Sequence, residues 1–301
     1  MNSFVRVIMA VATMLALITT ASGCVRVKTN ASEEELSIFI PNKALRGNGN
    51  LITKTIALPE FTKVNAHRAA EVSLVEKSEK EIVVTADENI LPYVVITCER
   101  GVLDITLDEA LKNAGNYTFR VVVPMNQQID RLSTTSGATI TLQEGLTLTS
   151  MGEVKLAASS ASGIKGAFQA KEMKQDTSSG GEIHGEFRTT KIEMKASSAS
   201  EIEGKLFTET LIARASSGAS IEVEGTAVKS DLEASSGADI DAEKLTTTDC
   251  RAEASSGADI ECHCTGALKA SASSGASIYN AGNPASPEIQ KSSGGSVAID
   301  K

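Results

Sequence analysis

Tryptophan is absent from the 301 residues, tyrosine occurs three times, and aromatics make up 3% of the chain. An interior built on large rings is thereby excluded. Ala, Ser, Gly, Thr, Val and Ile must supply the core instead, which suits a narrow, regular one. Positive charge is also in deficit, with 29 Lys and Arg against 38 Asp and Glu and a formal net charge of −9. Such a surface argues against nucleic acid and anionic lipid headgroups as partners. Beyond the first two dozen residues no apolar run is long enough to cross a bilayer as a helix. The chain also lacks a Gly-rich phosphate loop, a Ser-His-Asp arrangement and a basic patch.

The N-terminus carries an address rather than part of the fold. Arg6 precedes the mostly apolar stretch Val7 to Thr20, and Ala21-Ser22-Gly23-Cys24 follows. Residues 1–23 have the pattern of a secretory signal with a small-residue cleavage site. The stretch resembles a bacterial lipobox, in which Cys24 is diacylated and becomes the mature N-terminus, although Ala21 stands where Leu is usual. Ordinary signal cleavage, with Cys24 a bystander thiol, is the other reading. Acyl chains on Cys24 would anchor the protein to a membrane. Val25, rather than an acidic residue, follows the cysteine, which by resemblance to a Gram-negative sorting rule favours the outer membrane. Cleavage removes the charge of Arg6 alone, so −9 becomes −10. Residues 24–50, with Glu33-Glu34-Glu35 and Gly47-Asn48-Gly49-Asn50, read as a lipid-anchored tether plus a loop.

What the chain has in abundance is repetition. The motif Ser-Ser-Gly-Ala-x-Ile and its variants end on an apolar residue at Ile140, Ile164, Ile183, Ile202, Ile221, Ile240, Ile260, Ile278 and Val297, spaced by 24, 19, 19, 19, 19, 20, 18 and 19. Within each unit the pattern has period two, the signature of a strand. Ile192-Met194-Ala196 and Leu268-Ala270-Ala272 alternate with polar residues before the corner, and Ile183-Gly185-Phe187 and Ile202-Gly204-Leu206 after it. At about 3.3 Å per residue, such a unit circles a slim core once. Stacked units predict an all-β parallel β-helix in 131–301, its turns ~4.8 Å apart and its identical inward residues in ladders. Residues 51–130 read as irregular first turns or a β-rich cap continuous with it. Val64 and Ala66 are expected inward there, and Val72 closes a degenerate unit.

With these residues a resemblance becomes legible. The secretion signal, the lipobox-like cysteine, "LPEFTKVNAHRAAEVSL", "ITCERGVLDITL", "FRVVVPMNQQIDRLSTTSGATI" and the repeats after them resemble the head-GIN-domain family. These are bacterial envelope proteins described as "putative autotransporter adhesins". The resemblance spans about residues 50–301 and implies a right-handed β-helix; of activity it implies little beyond the family's label of adhesion.

Candidate sites divide by face. Glu182, Glu201, Glu203, Glu222, Asp239, Asp241, Asp259 and Glu261 flank the closing isoleucines and are expected outward, in ladders on one face. Ca²⁺ bridging adjacent turns is one use of such a ladder, and a solvated acidic face is the other. The same carboxylates raise a polysaccharide-cleaving enzyme. The near-uniform units from 158 to 280 and the missing Trp argue against it, and no catalytic residue is assigned. Cys262 and Cys264 are expected inward and His263 outward, so they cannot converge on a metal. Cys250 is inward too, where a disulfide across the core is open to it in an oxidising envelope; Cys98 has no identifiable partner. His67 and His184 read as isolated and exposed. The Ser pairs read as corner structure. The expected function is a non-catalytic envelope lipoprotein presenting a binding surface to glycans or cell-surface proteins. A periplasm-facing scaffold is the alternative.

Overall fold

Period-two strands become a solenoid only if something bends them at fixed intervals, and in this chain the bends are pairs of left-handed residues. The computed structural model describes residues 25–28, 45–77, 80–111 and 114–300. The signal at 1–23 and lipidation at Cys24 therefore lie outside the described residues. The architecture is a β-solenoid of about 8 turns. Among the described residues the one helical element is a short 3-10 segment, Leu91–Tyr93, and no helix is long and apolar enough to cross a membrane.

One turn shows the construction. Strand Gly163–Ser178 runs along two faces. On the first, face A, Ile164, Phe168 and Ala170 point into the core; on the second, face B, Met173, Gln175 and Thr177 do. The residue between the faces, Lys171, drops out of the parallel ladder to the next turn, in which Ile164 pairs Ile183 and Met173 pairs Ile192. At the corner joining face B to the next face A, two successive residues have positive φ, as Ser236 (55°) and Gly237 (65°) do. Ala238 N–H donates to the Ser235 carbonyl at 3.3 Å, closing the bend as a primed turn would. Gly237 N–H donates to Ser256 of the next corner at 3.1 Å, so the corners stack as well. The serine thus shares the left-handed backbone that a sequence reading assigns to glycine alone.

The core is a set of ladders. Ile140, Ile164, Ile183, Ile202, Ile221, Ile240, Ile260 and Ile278 are each 1% exposed or less. Each buried isoleucine contributes on the order of 2 kcal/mol relative to an exposed one. Phe168 and Phe187 stack with centroids 6.0 Å apart. Gly204 makes room beneath them: a Cβ there would strike the Gly185 carbonyl oxygen and lie 2.6 Å from the Phe187 ring. Where the corner places Ser162 and Ser200 inward instead of alanine, buried hydroxyl pairs satisfy them, Ser162 with Thr134 at 2.9 Å and Ser200 with Thr177 at 3.0 Å.

The N-terminal end begins with the degenerate unit. Val64 pairs Leu132 and Val72 pairs Ile140 in parallel, and Arg68 and Ala69, both at φ 54°, form its corner. Beyond it the strands reverse. On face A, Phe119–Pro124 continues the parallel stack and then pairs antiparallel with Glu81–Asp87, which pairs with Leu51–Ala57. On face B, Val102–Leu107 pairs antiparallel with Val94–Glu99, which pairs with Val25–Lys28. Antiparallel strands therefore close the stack at this end, covering a core and an edge that a bare end would expose. Buried Asp87 ties the cap together, accepting from Gly49 N–H at 2.6 Å and Thr118 N–H at 2.7 Å. At the other end strand Ser286–Lys291 is exposed throughout, and Pro287, Glu288 and Lys291 blunt it against pairing.

Candidate functional site

The isoleucine ladder fixes two outward columns on face A. One runs Glu182, Glu201, Ser220, Asp239, Asp259, and the other His184, Glu203, Glu222, Asp241, Glu261. All eight carboxylates singled out in the sequence fall in these columns, four in each. Serine interrupts the first column; the second is continuous and borders a shallow groove of about 240 Å³ between Glu203, Glu222 and Asp241. Burial, then the charges of Asp241 and Asp259, push the Asp239 carboxyl above its ordinary value. Glu261 is raised by burial and then by Asp241 and Glu243.

Glu243 joins this cluster without having been foreseen. Asp241, Glu243 and Glu261 each bring a carboxylate oxygen within 4.8 Å of the others. They offer part of the six to eight oxygen ligands that Ca²⁺ takes. An extra residue bulges the strand here, so that Glu222 pairs Asp241 but Gly225 pairs Leu245. Its sequence signal was the 20-residue step from Ile240 to Ile260. The following turn slips again between Ala242 and Thr246. The run from 158 to 280 is therefore less uniform than its motifs imply.

Both histidines expected to stand alone have carboxylate partners. His184 Nδ1 lies 2.9 Å from Glu203, and its Nε2 lies 3.5 Å from Glu182. His67 lies 3.1 Å from Asp104, and that hydrogen bond holds the Asp104 carboxyl below its ordinary value. Their side chains are about 30% exposed, because neighbouring turns flank a single-residue projection on both sides.

Face B has the opposite electrostatics. Its outward columns carry both signs, interlocked from turn to turn. Glu153 pairs with Lys174, Lys195 with Glu193, and Lys269 with Glu288. Arg214 reaches Asp231 and Glu233, while Arg251 reaches those two and Glu253. Beside them a third column holds Ser178, Ser197, Ser216 and Ser235 in register. Part of this surface lines a groove of about 600 Å³ that includes Asp176, Lys195, Arg214, Glu253, Ser255 and Ser273. Arg214 Nη1 is screened from solvent here and has no hydrogen-bond partner. The sequence showed these polar residues alternating with the core, but gave no reason to prefer them to the acidic ladder. The groove runs along the residues that lead into the serine corner of successive turns, a juxtaposition that alternation does not encode.

The thiols sit as expected. Cys250, Cys262 and Cys264 are buried, and His263 projects the other way, half-buried, so this trio does not converge on one ion. Cys264 Sγ contacts the carbonyls of Thr248 and Ala267 at 3.3 Å each. Cys98 Sγ lies 3.4 Å from the Glu60 carbonyl.

Residues 60–284 match one family model, described as "Putative auto-transporter adhesin, head GIN domain". The chain belongs to that head GIN family. No curated protein matches. Among solved structures, an adhesin ("putative") from Parabacteroides merdae superposes with a TM-score of 0.66 at 19% identity, over 85% of this chain and 99% of that one. A "putative adhesin" from Parabacteroides distasonis gives 0.60 at 18% identity, over 85% and 99%. A "putative lipid binding protein" from the same species gives 0.57 at 20%, over 86% and 100%. At these identities the structures share the head GIN fold with this chain.

Proposed function

We propose that this head GIN protein is a non-catalytic envelope lipoprotein, held at the outer membrane by acyl chains on Cys24, that grips an extended glycan along face B. The observation that carries the reading is the groove of about 600 Å³ running across successive turns from Asp176 to Ser273. It offers the same serine hydroxyl at each ~4.8 Å step, a geometry suited to a polymer with its own repeat rather than to a compact small molecule. Hydroxyls and amphoteric ion pairs suit sugar hydroxyls and carboxylates. Without Trp to stack on, affinity rests on many modest polar contacts.

Against catalysis, Glu233 and Glu253 in this groove are engaged by cations, the first by Arg214 and Arg251 and the second by Arg251. Glu193, which pairs with the groove residue Lys195, is held below the usual carboxylate range by that hydrogen bond, the reverse of what a general acid requires. The family's adhesin description agrees with a binding role.

The test is an array of surface and cell-wall glycans probed with the purified protein and with Arg214→Glu. Binding lost in the variant is expected; equal binding by both, or none by either, rejects the face. Protease shaving of intact cells locates the site of action. Digestion is expected, and protection would transfer the same groove to a periplasm-facing scaffold.

A further inference from the structure

Cys24 is bonded to Val25, so their Cα atoms are about 3.8 Å apart, and Val25 is already part of the fold. Strand Val25–Lys28 lies antiparallel to Val94–Glu99, with Val25 opposite Cys98 and Lys28 opposite Val95. Among the described residues it is the outermost strand of face B at the cap end. From it, face B runs through twelve successive pairings to Ser286–Lys291 at the other end. At ~4.8 Å per pairing the two ends are roughly 58 Å apart. Asp176 lies on the sixth step and Ser273 follows the strand on the eleventh. The groove between them therefore spans roughly 29 to 53 Å from the first strand.

With Cys24 acylated, the reading on which this step rests, we infer that the cap is the membrane-facing end of the rod. Strand Val25–Lys28 mounts it on the lipid surface with no slack between anchor and fold, and the groove on face B is held clear of the headgroups. A flexible linker at this point would let the rod fall onto the bilayer and bury either face against it. A docked strand removes that freedom, because a swing about the anchor must carry the whole cap or strip the strand from Val94–Glu99. Face A adds to the effect: its two acidic columns disfavour lying flat against an anionic leaflet. A glycan then lies along face B without competing with the bilayer.

Energy transfer on vesicles tests this. The full precursor carrying Glu99→Cys or Glu288→Cys is processed in a Gram-negative host, purified in detergent and labelled with a thiol-reactive donor dye. Both positions are exposed, whereas Cys98, Cys250, Cys262 and Cys264 are buried. Each protein is inserted into preformed vesicles of phosphatidylethanolamine and phosphatidylglycerol that carry an acceptor dye on the headgroups. Transfer from position 99 should exceed that from position 288 several-fold. A linker of about ten Gly and Ser residues inserted between Cys24 and Val25 should shrink that contrast. Equal transfer from the two positions, or a contrast that the linker leaves unchanged, overturns the mounting. Intact mass before labelling separates the two readings. A mature chain without acyl groups overturns the lipoprotein itself, whereas an acylated chain with equal transfer overturns only the way it stands.

Discussion

Ile240 and Asp239 are neighbours in sequence with opposite fates, one fully buried and the other exposed. Ile240→Asp places an unpaired charge in the ladder and should cost about 4 kcal/mol or more. Asp239→Ala should shift stability by less than about 0.5 kcal/mol. Urea denaturation of the two variants checks the register, and equal losses would contradict it. The corners give a second residue-scale test. Ala199 holds φ 56° where most corners carry glycine, a conformation that costs an L-residue on the order of 1 kcal/mol. Ala199→Gly should therefore stabilise the protein by about that amount in the same assay.

The acidic columns add a pH dependence whose sign follows from their partners. Asp239 and Glu261 have raised carboxyls, so the folded state holds their protons more tightly than the unfolded chain does. Stability then falls as pH rises from the ordinary carboxylate value through the raised one. Asp104 runs the other way: its lowered value gives stability present above the ordinary carboxylate range and lost as pH falls through the lowered one. The double variant Asp239→Asn, Glu261→Gln should melt higher than wild type at neutral pH, and the gap should close on acidification. A gap that widens in acid would refute the repulsion.

At the scale of elements, packing between turns outweighs the strand propensity of any one. Gly204→Ala, a conservative change in composition, drives a methyl into the Gly185 carbonyl and the Phe187 ring. It should cost about 2 kcal/mol in thermal or chemical denaturation. Elements were also what the sequence displayed most clearly. The period of the closing isoleucines placed every regular turn, and Val64, Ala66 and Val72 fell inward as their alternation required. The cap's reversal was not legible, because Glu81–Asp87 and Val94–Glu99 alternate in the same way whether their partners run parallel or antiparallel. Nor were the histidine pairs, since His184 meets Glu203 from 19 positions away, a contact made by stacking.

At the scale of the molecule, the two faces divide the electrostatics. Face A concentrates like charge in its outer columns, which disfavours close approach of another acidic surface and keeps an otherwise flat sheet soluble. Face B neutralises itself through ion pairs and leaves a continuous polar track. The acidic ladder drew attention in the sequence because charge is visible there, whereas the groove on face B is assembled from residues of several successive turns. An adhesive function then needs no departure from the repeat, because each added turn lengthens the track.

A groove that repeats its contacts turn by turn should bind a polymer according to its length. The direct measurement is the affinity of this protein, by calorimetry, for oligosaccharides of increasing length from a glycan that it retains. Affinity should climb with each added unit until the ligand spans the turns from Asp176 to Ser273, then level, and Arg214→Glu should abolish the climb. An affinity that is independent of length, or a climb unchanged in that variant, would contradict it.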